Sequence, residues 1–340
     1  MRRRHLAIPV ALAALSISSV LAAAEGSRSA SPIAMVIHGG AGTIEREDLS
    51  TELEASYRDK LKEALLVGHG ILKQGGTSLD AVEATIRLLE NSPLFNAGKG
   101  AVFTAAGKNE LDASIMEGHT LRAGAVAGVT TLKNPISAAR AVMEKTRHVL
   151  LAGEGADRFA AQIGLEQVPS DYFFTERRWQ ALEKRRAEER HKESEADKTM
   201  GTVGAVALDR KGNLAAGTST GGMTFKKHGR VGDSPVVGAG TYANAKCGVS
   251  GTGHGEFFIR YAVAHDICAR VEYLGLSIQE AARQIVLEDL VEAGGSGGVI
   301  ALGADGTPAL VFNTSGMYRG FVDDSGKTHV GIYQEPIYKQ

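Results

Sequence analysis

The chain is short of the features that assign a protein quickly. Only two cysteines, Cys247 and Cys268, stand in 340 residues. Two cannot build a disulfide framework, and their spacing is not that of a metal site, although an exported protein could pair them. Excess positive charge is also missing. The 38 basic residues face 39 acidic ones, which argues against a nucleic-acid partner. Long apolar runs are scarce, and the one of note, residues 6–23, is short for a membrane span. It follows Arg2-Arg3-Arg4 and ends at Ala22-Ala23-Ala24 before Glu25, the order of a secretory leader with a small-residue cleavage site. The expectation is a signal peptide at residues 1–24, no membrane anchor, and an exported, periplasmic mature protein. No internal repeat is visible.

What is present is ordinary globular composition, 43% hydrophobic and 23% charged. The 42 glycines fall in clusters, which mark tight turns and close backbone approaches. Residues 35–37 read as a short buried strand ending in His38-Gly39-Gly40-Ala41-Gly42. Residues 50–74 and 78–89 read as amphipathic helices, the second capped by Ser78. A glycine loop at residues 96–100 leads to strand-like runs at 110–116 and 123–132 and a helix at 136–145. The mostly charged stretch around 170–201 reads as a solvated helix or a disordered linker from which no core could be built. The second half is strand-rich, at 203–208, 214–218, 236–240, 298–302 and 309–313, with a hairpin turn at 209–213 and helices at 256–271 and 277–293. Strands in runs and helices in pairs predict an α+β fold of antiparallel sheets covered by helices.

The chemistry centres on Gly201-Thr202-Val203-Gly204, directly after the charged stretch. A threonine hydroxyl becomes a useful nucleophile when its own free α-amine serves as base. An internal threonine gains that amine only if the bond before it is cut, and Gly201 leaves room for the hydroxyl to attack. Pairing 214–218 with 203–208 would return Thr220 to the side of Thr202, as a second hydroxyl. Arg230 and Asp233 form a candidate zwitterion clamp, since Arg can take a carboxylate with two parallel bonds while Asp takes an ammonium. In Ser250-Gly251-Thr252-Gly253-His254-Gly255-Glu256, a glycine loop opening a helix, no Lys-Ser/Thr follows the glycines as in a phosphate loop. Thr252 and Gly253 are candidate oxyanion donors, and His254 is a weaker candidate base than the Thr202 amine.

Seven segments, taken in order, carry a resemblance: 38–42, 95–98, 111–113, 201–204, 218–222, 229–235 and 252–256. On them the chain resembles the plant-type asparaginase / isoaspartyl aminopeptidase family of the N-terminal-nucleophile hydrolases, over nearly all of the mature sequence. The resemblance implies a four-layer αββα sandwich. It implies self-cleavage between Gly201 and Thr202 into an α fragment (25–201) and a β fragment (202–340), with two such αβ units forming a dimer. Thr202 would be the nucleophile, Thr220 its support, Arg230 and Asp233 the substrate clamp, and Thr252 with Gly253 the oxyanion hole. Substrates would be asparagine and β-aspartyl dipeptides, with no cofactor for the chemistry. A structural sodium ion would rest on the backbone carbonyls of Leu89, Glu90, Ser92, Phe95, Ala97 and Lys99. Glycosylated asparagine stays open as an alternative substrate, although Thr252-Gly-His-Gly255 departs from the Thr-Gly-Asp-Gly typical of those enzymes. A periplasmic amino-acid-binding protein is the alternative from another class.

Overall fold

The computed structural model describes residues 31–190 and 201–337. The leader expected at 1–24 and the linker's last stretch, 191–200, lie outside the described residues. In chain order come β1 (Ala34–Gly42), α1 (Thr51–Lys73), α2 (Ser78–Glu90), β2 (Leu111–Glu117), β3 (Ala123–Val129), α3 (Pro135–Lys145), β4 (Leu150–Ala152), α4 (Gly153–Gln162) and α5 (Glu176–Arg190). Then follow β5 (Val203–Leu208), β6 (Leu214–Thr220), β7 (Thr241–Ala243), β8 (Cys247–Gly253), α6 (Gly255–Arg260), α7 (Val263–Leu274), α8 (Ile278–Arg283), β9 (Gly297–Gly303), β10 (Pro308–Phe312), β11 (Gly316–Val322) and β12 (Thr328–Gly331).

The strands form an eight-stranded sheet, β12-β11-β1-β5-β6-β2-β3-β4, and a four-stranded sheet, β10-β9-β8-β7. Three cores separate four layers. Leu61, Leu65, Val82 and Ile86 of α1 and α2 pack on Met35, Ile37, Val203 and Ala205 of the large sheet. Ile267, Ala281 and Ile285 pack on Val249, Val299 and Ala301 of the small one. Between the sheets lie Val36, Val206, Leu208, Ala216, Ile300 and Met317. This is the αββα sandwich. Along β5 the side chains alternate between the helix-facing core and the inter-sheet core, Val203, Ala205 and Ala207 against Val206 and Leu208. Burial on both faces is why these antiparallel strands read as unbroken apolar runs.

Several expectations are corrected. The sheets are not wholly antiparallel, because β3 and β4 pair in parallel, as strands joined through a crossover helix, here α3, can. The strand at 35–37 extends through the glycines to Gly42, with a bulge between His38 and Gly40. The cap of α2 is Thr77, whose hydroxyl accepts the Asp80 N–H at 3.1 Å. Residues 236–240 are a turn before β7, and Thr252 and Gly253 end strand β8 rather than lying in a loop. The helix expected at 256–271 breaks at Ala262, which is left-handed (φ 47°). The charged stretch does contribute to a core. Leu182 of α5 is fully buried, and Trp179 packs edge-on against Phe103. Cys247 and Cys268 are joined by a disulfide tying β8 to α7, with a Cα–Cα separation of 5.7 Å inside the usual span.

Candidate active site at the head of the β5–β6 hairpin

The hairpin registers Val203 against Ser219, so Thr202 and Thr220 face each other just beyond it. The Thr202 hydroxyl lies 3.0 Å from the Thr220 hydroxyl and 2.7 Å from the Gly201 carbonyl oxygen. That carbonyl oxygen also accepts from Asn96 Nδ2 at 2.8 Å and faces Thr220 Oγ1 at 3.2 Å. Asn96 is itself fixed: its amide donates to the Gly222 carbonyl at 2.7 Å, and its Oδ1 accepts the Val102 N–H at 2.9 Å. A nucleophile beside a carbonyl, with donors already on the carbonyl oxygen, is an arrangement for acyl transfer with the oxyanion held in place. Gly40 closes this corner. Its φ of +111° suits only glycine, and a Cβ there would stand 2.8 Å from the Gly201 Cα.

The nucleophile's backbone is anchored from beneath. His38 is fully buried, and burial pushes its pKa down to about 3, so the ring is neutral. Its Nδ1 is 3.0 Å from the Thr202 carbonyl, an acceptor only, so Nδ1 donates. Nε2 must then accept from the Ser250 hydroxyl at 2.9 Å. Ser250 continues to Thr218 at 2.7 Å, and Thr218 to Thr241 at 2.6 Å. This buried chain of hydroxyls stitches the two sheets together behind Thr202.

Arg230 and Asp233 do not bond each other. Arg230 is held by Glu256 in a two-pronged pair, Nε to Oε1 at 2.9 Å and Nη2 to Oε2 at 3.0 Å. One edge of the guanidinium is therefore fixed, leaving the Nη1/Nη2 edge for a ligand. Asp233 Oδ2 is buried with no partner. Burial pushes the Asp233 carboxyl up to about 7, with Arg230 pulling it back. The position a Cβ on Gly255 would take is 2.7 Å from Asp233 Oδ1 and 2.9 Å from Arg230 Nη2. Any side chain there would clash with both, so glycine lets the start of α6 pack directly against the pair; separately, the buried, partnerless Oδ2 asks for a donor. Thr252 Oγ1 accepts the Ala41 N–H at 3.2 Å, which leaves its own proton to donate. His254 Nε2 lies 3.5 Å from Glu256 Oε2, a contact on the clamp's flank.

At the end of α2, the side chain of Glu90 is turned into the core. It accepts from Ser219 Oγ (2.7 Å), Asn134 Nδ2 (3.0 Å) and the Ile136 N–H (3.0 Å), and burial pushes it up to about 7. The loop after α2 then coils so tightly that a Cβ on Gly98 would strike the Glu90 carbonyl oxygen, and one on Gly100 that of Phe95. Backbone carbonyl oxygens are hard ligands of the kind an alkali cation takes. Among the described residues no group of His, Cys, Asp or Glu side chains could hold a metal ion, so a cation in this loop would rest on backbone oxygens.

Asn96, His38 and Glu256 stand in segments whose pattern was visible, yet sequence reasoning gave them no role. Their partners are distant in the chain, and only the fold brings them together. Comparison with known proteins identifies the family. An asparaginase family model matches residues 31–332. The isoaspartyl peptidase of Escherichia coli is 52% identical over 310 residues, covering 88% of this chain and 96% of that protein. A putative isoaspartyl peptidase/L-asparaginase of Dictyostelium discoideum is 49% identical over 341 residues, covering 88% and 98%. The human isoaspartyl peptidase/L-asparaginase is 42% identical over 302 residues, covering 88% and 96%. A matched family model spanning both halves of the sandwich, with a threonine set against a donor-clad carbonyl at its centre, means that the chain belongs to the asparaginase family of N-terminal-nucleophile hydrolases.

Proposed function

We propose that the chain cuts itself before Thr202 and that the mature enzyme hydrolyses β-aspartyl dipeptides and asparagine. The observation that carries this reading is the Thr202 hydroxyl beside a Gly201 carbonyl oxygen that accepts from Asn96. In the self-cleavage step Thr202 Oγ adds to the Gly201 carbonyl carbon, and the oxyanion is stabilised by Asn96 Nδ2 and the Thr220 hydroxyl. The C–N bond breaks as the nitrogen takes the hydroxyl proton, which leaves an ester. Water hydrolyses that ester to a Gly201 carboxylate and a Thr202 with a free amine.

That amine then serves as base. Arg230 takes the substrate's α-carboxylate and Asp233 its α-ammonium. Thr202 Oγ attacks the side-chain carbonyl carbon, its proton passing to the α-amine, while Thr252 and Gly253 receive the oxyanion. The ammonium returns the proton to the leaving nitrogen, the C–N bond breaks, and water releases aspartate from the ester. The relatives' names, isoaspartyl peptidase and L-asparaginase, favour these substrates over glycosylated asparagine. A sodium ion on the carbonyls of the Glu90–Lys99 loop would stiffen the segment that carries Asn96. Export fits the leader-like first residues together with the Cys247–Cys268 disulfide. Pairing of two αβ units completes the reading.

N-terminal sequencing of the smaller band on a denaturing gel tests the proposal. It should read Thr-Val-Gly-Ala-Val, and Thr202→Ala should give one band and no hydrolysis of β-Asp-Leu. An intact chain that is active, or a cut elsewhere, removes the mechanism.

A further inference from the structure

The leaving nitrogen of a substrate takes its proton from the Thr202 α-amine. In the uncut chain that nitrogen is bonded to Gly201, so the space around Gly201 is where a leaving group arrives. Gly201 lines a cavity of about 140 Å³, close to the size of an apolar cavity that accommodates benzene, and so suited to a single side chain. Its walls include Tyr57 and Tyr318, stacked with ring centroids 4.2 Å apart, and Phe95 set edge-on to Tyr57. Arg177 and Arg178 of α5 also line it, Arg178 bonding the Gly100 carbonyl through Nε; Arg177 is the one set against the aromatic wall. Its Nη1 donates to the Tyr57 hydroxyl at 2.7 Å and its Nη2 to the Leu94 carbonyl at 2.7 Å. These acceptors, and the Pro93 carbonyl 3.4 Å from Nη2, are neutral, and no carboxylate among the described residues pairs with this guanidinium. Glu45, the acid of the lining, is solvent-exposed and makes no bond to it.

Resting on the hydrolase reading of Thr202, we propose that this cavity is the subsite for the leaving residue of a β-aspartyl dipeptide, with Arg177 taking that residue's α-carboxylate. The aromatic walls receive its side chain. Only one Cα separates the leaving nitrogen from that carboxylate, so a small cavity spans both. Asparagine releases ammonia, which has neither side chain nor carboxylate, and gains nothing from the subsite. Arg177 is thereby a specificity-determining residue between the two substrate types, supplied by the charged segment that precedes the cut.

The test compares kcat/KM of fully cleaved wild type and Arg177→Met on β-Asp-Leu, its C-terminal amide and asparagine. One charge-assisted contact at an exposed arginine should cost about tenfold on β-Asp-Leu, with asparagine and the amide unchanged. Arg177→Lys should recover part of the loss. Arg177→Gln, which keeps donors for Tyr57 and Leu94, serves if the Met variant disturbs the loop. Equal losses on all three substrates, or none on β-Asp-Leu, overturn the proposal. Wild-type enzyme inactive on every substrate would instead sink the hydrolase reading.

Discussion

Replacing Asn96 with alanine should stall self-cleavage while leaving a folded precursor. The Gly201 carbonyl oxygen accepts from Asn96 Nδ2 at 2.8 Å, shorter than the 3.2 Å to Thr220. Asn96 is 1% exposed and doubly anchored, so its amide is a fixed donor. Removing one donor from an oxyanion site costs about 10²–10³ in rate, or about 2.7–4 kcal/mol. The substitution also strands the Gly222 carbonyl and the Val102 N–H, at about 1–3 kcal/mol each. Stability therefore falls as well, and a thermal melt must accompany the kinetics. Thr220→Val is the companion, since it removes a hydroxyl and keeps the shape. The assay is the first-order loss of the full-length band on a denaturing gel. If folded Asn96→Ala cuts within about threefold of wild type, the carbonyl is not activated by this amide and the oxyanion argument fails.

Glu256→Gln should raise KM for asparagine roughly 3–10-fold with kcat nearly unchanged, since it loosens Arg230. In an Arg230→Ala background it should cost nothing further, and an equal cost there would mean that Glu256 acts elsewhere. The disulfide closes a sequence separation of 21, so Cys268→Ser should lose roughly 3 kcal/mol of stability. Reducing the wild type should reproduce that loss in a denaturant melt, and a reductant-insensitive midpoint would show that the bridge is not formed. Asp233, raised by burial to about 7 from the ordinary 3.8 of an aspartate, binds a proton on folding between those values. It therefore favours the fold at low pH, and that contribution disappears as pH rises through about 7. An ammonium ligand needs the ionised form, so aspartate binding at pH 6 should release a proton, read as a buffer-dependent heat, and weaken as pH falls. A buffer-independent heat, unchanged in Asp233→Asn, would remove Asp233 from the clamp.

The layered fold was legible because both sheets are buried on both faces, which makes each central strand a dense apolar run bounded by turn residues. The hairpin turn carrying Thr220 back to Thr202 was visible for that reason. What escaped was wherever tertiary context overrode the local pattern. The charged segment looked unable to build a core, yet a stripe of Trp179 and Leu182 suffices to dock α5. Thr252 and Gly253 read as loop from their glycines, but the β8–β9 ladder, pairing Gly253 with Gly297, holds them as strand. Two glycine-rich strands lying close together have no side-chain signature.

The site divides along a similar line. Thr202, Arg230 and Asp233 could be proposed from type alone, because an activated hydroxyl and a pair of opposite charges have few substitutes. Asn96 could not. In a glycine loop an asparagine is fully accounted for by turn propensity, and the group it serves is a backbone carbonyl 105 positions away. His38 is hidden in the same way, since its partner on the nucleophile is the carbonyl of Thr202 rather than its hydroxyl. Both residues act on main-chain oxygens, which every residue carries, so no side-chain pattern can mark the partner. The proposed self-cleavage puts unusual weight on such contacts, because the bond broken first is the chain's own peptide bond. Asn96 and His38, which act on the chain's own carbonyls, were hidden for that reason, whereas Thr202, Arg230 and Asp233 are legible from side-chain type.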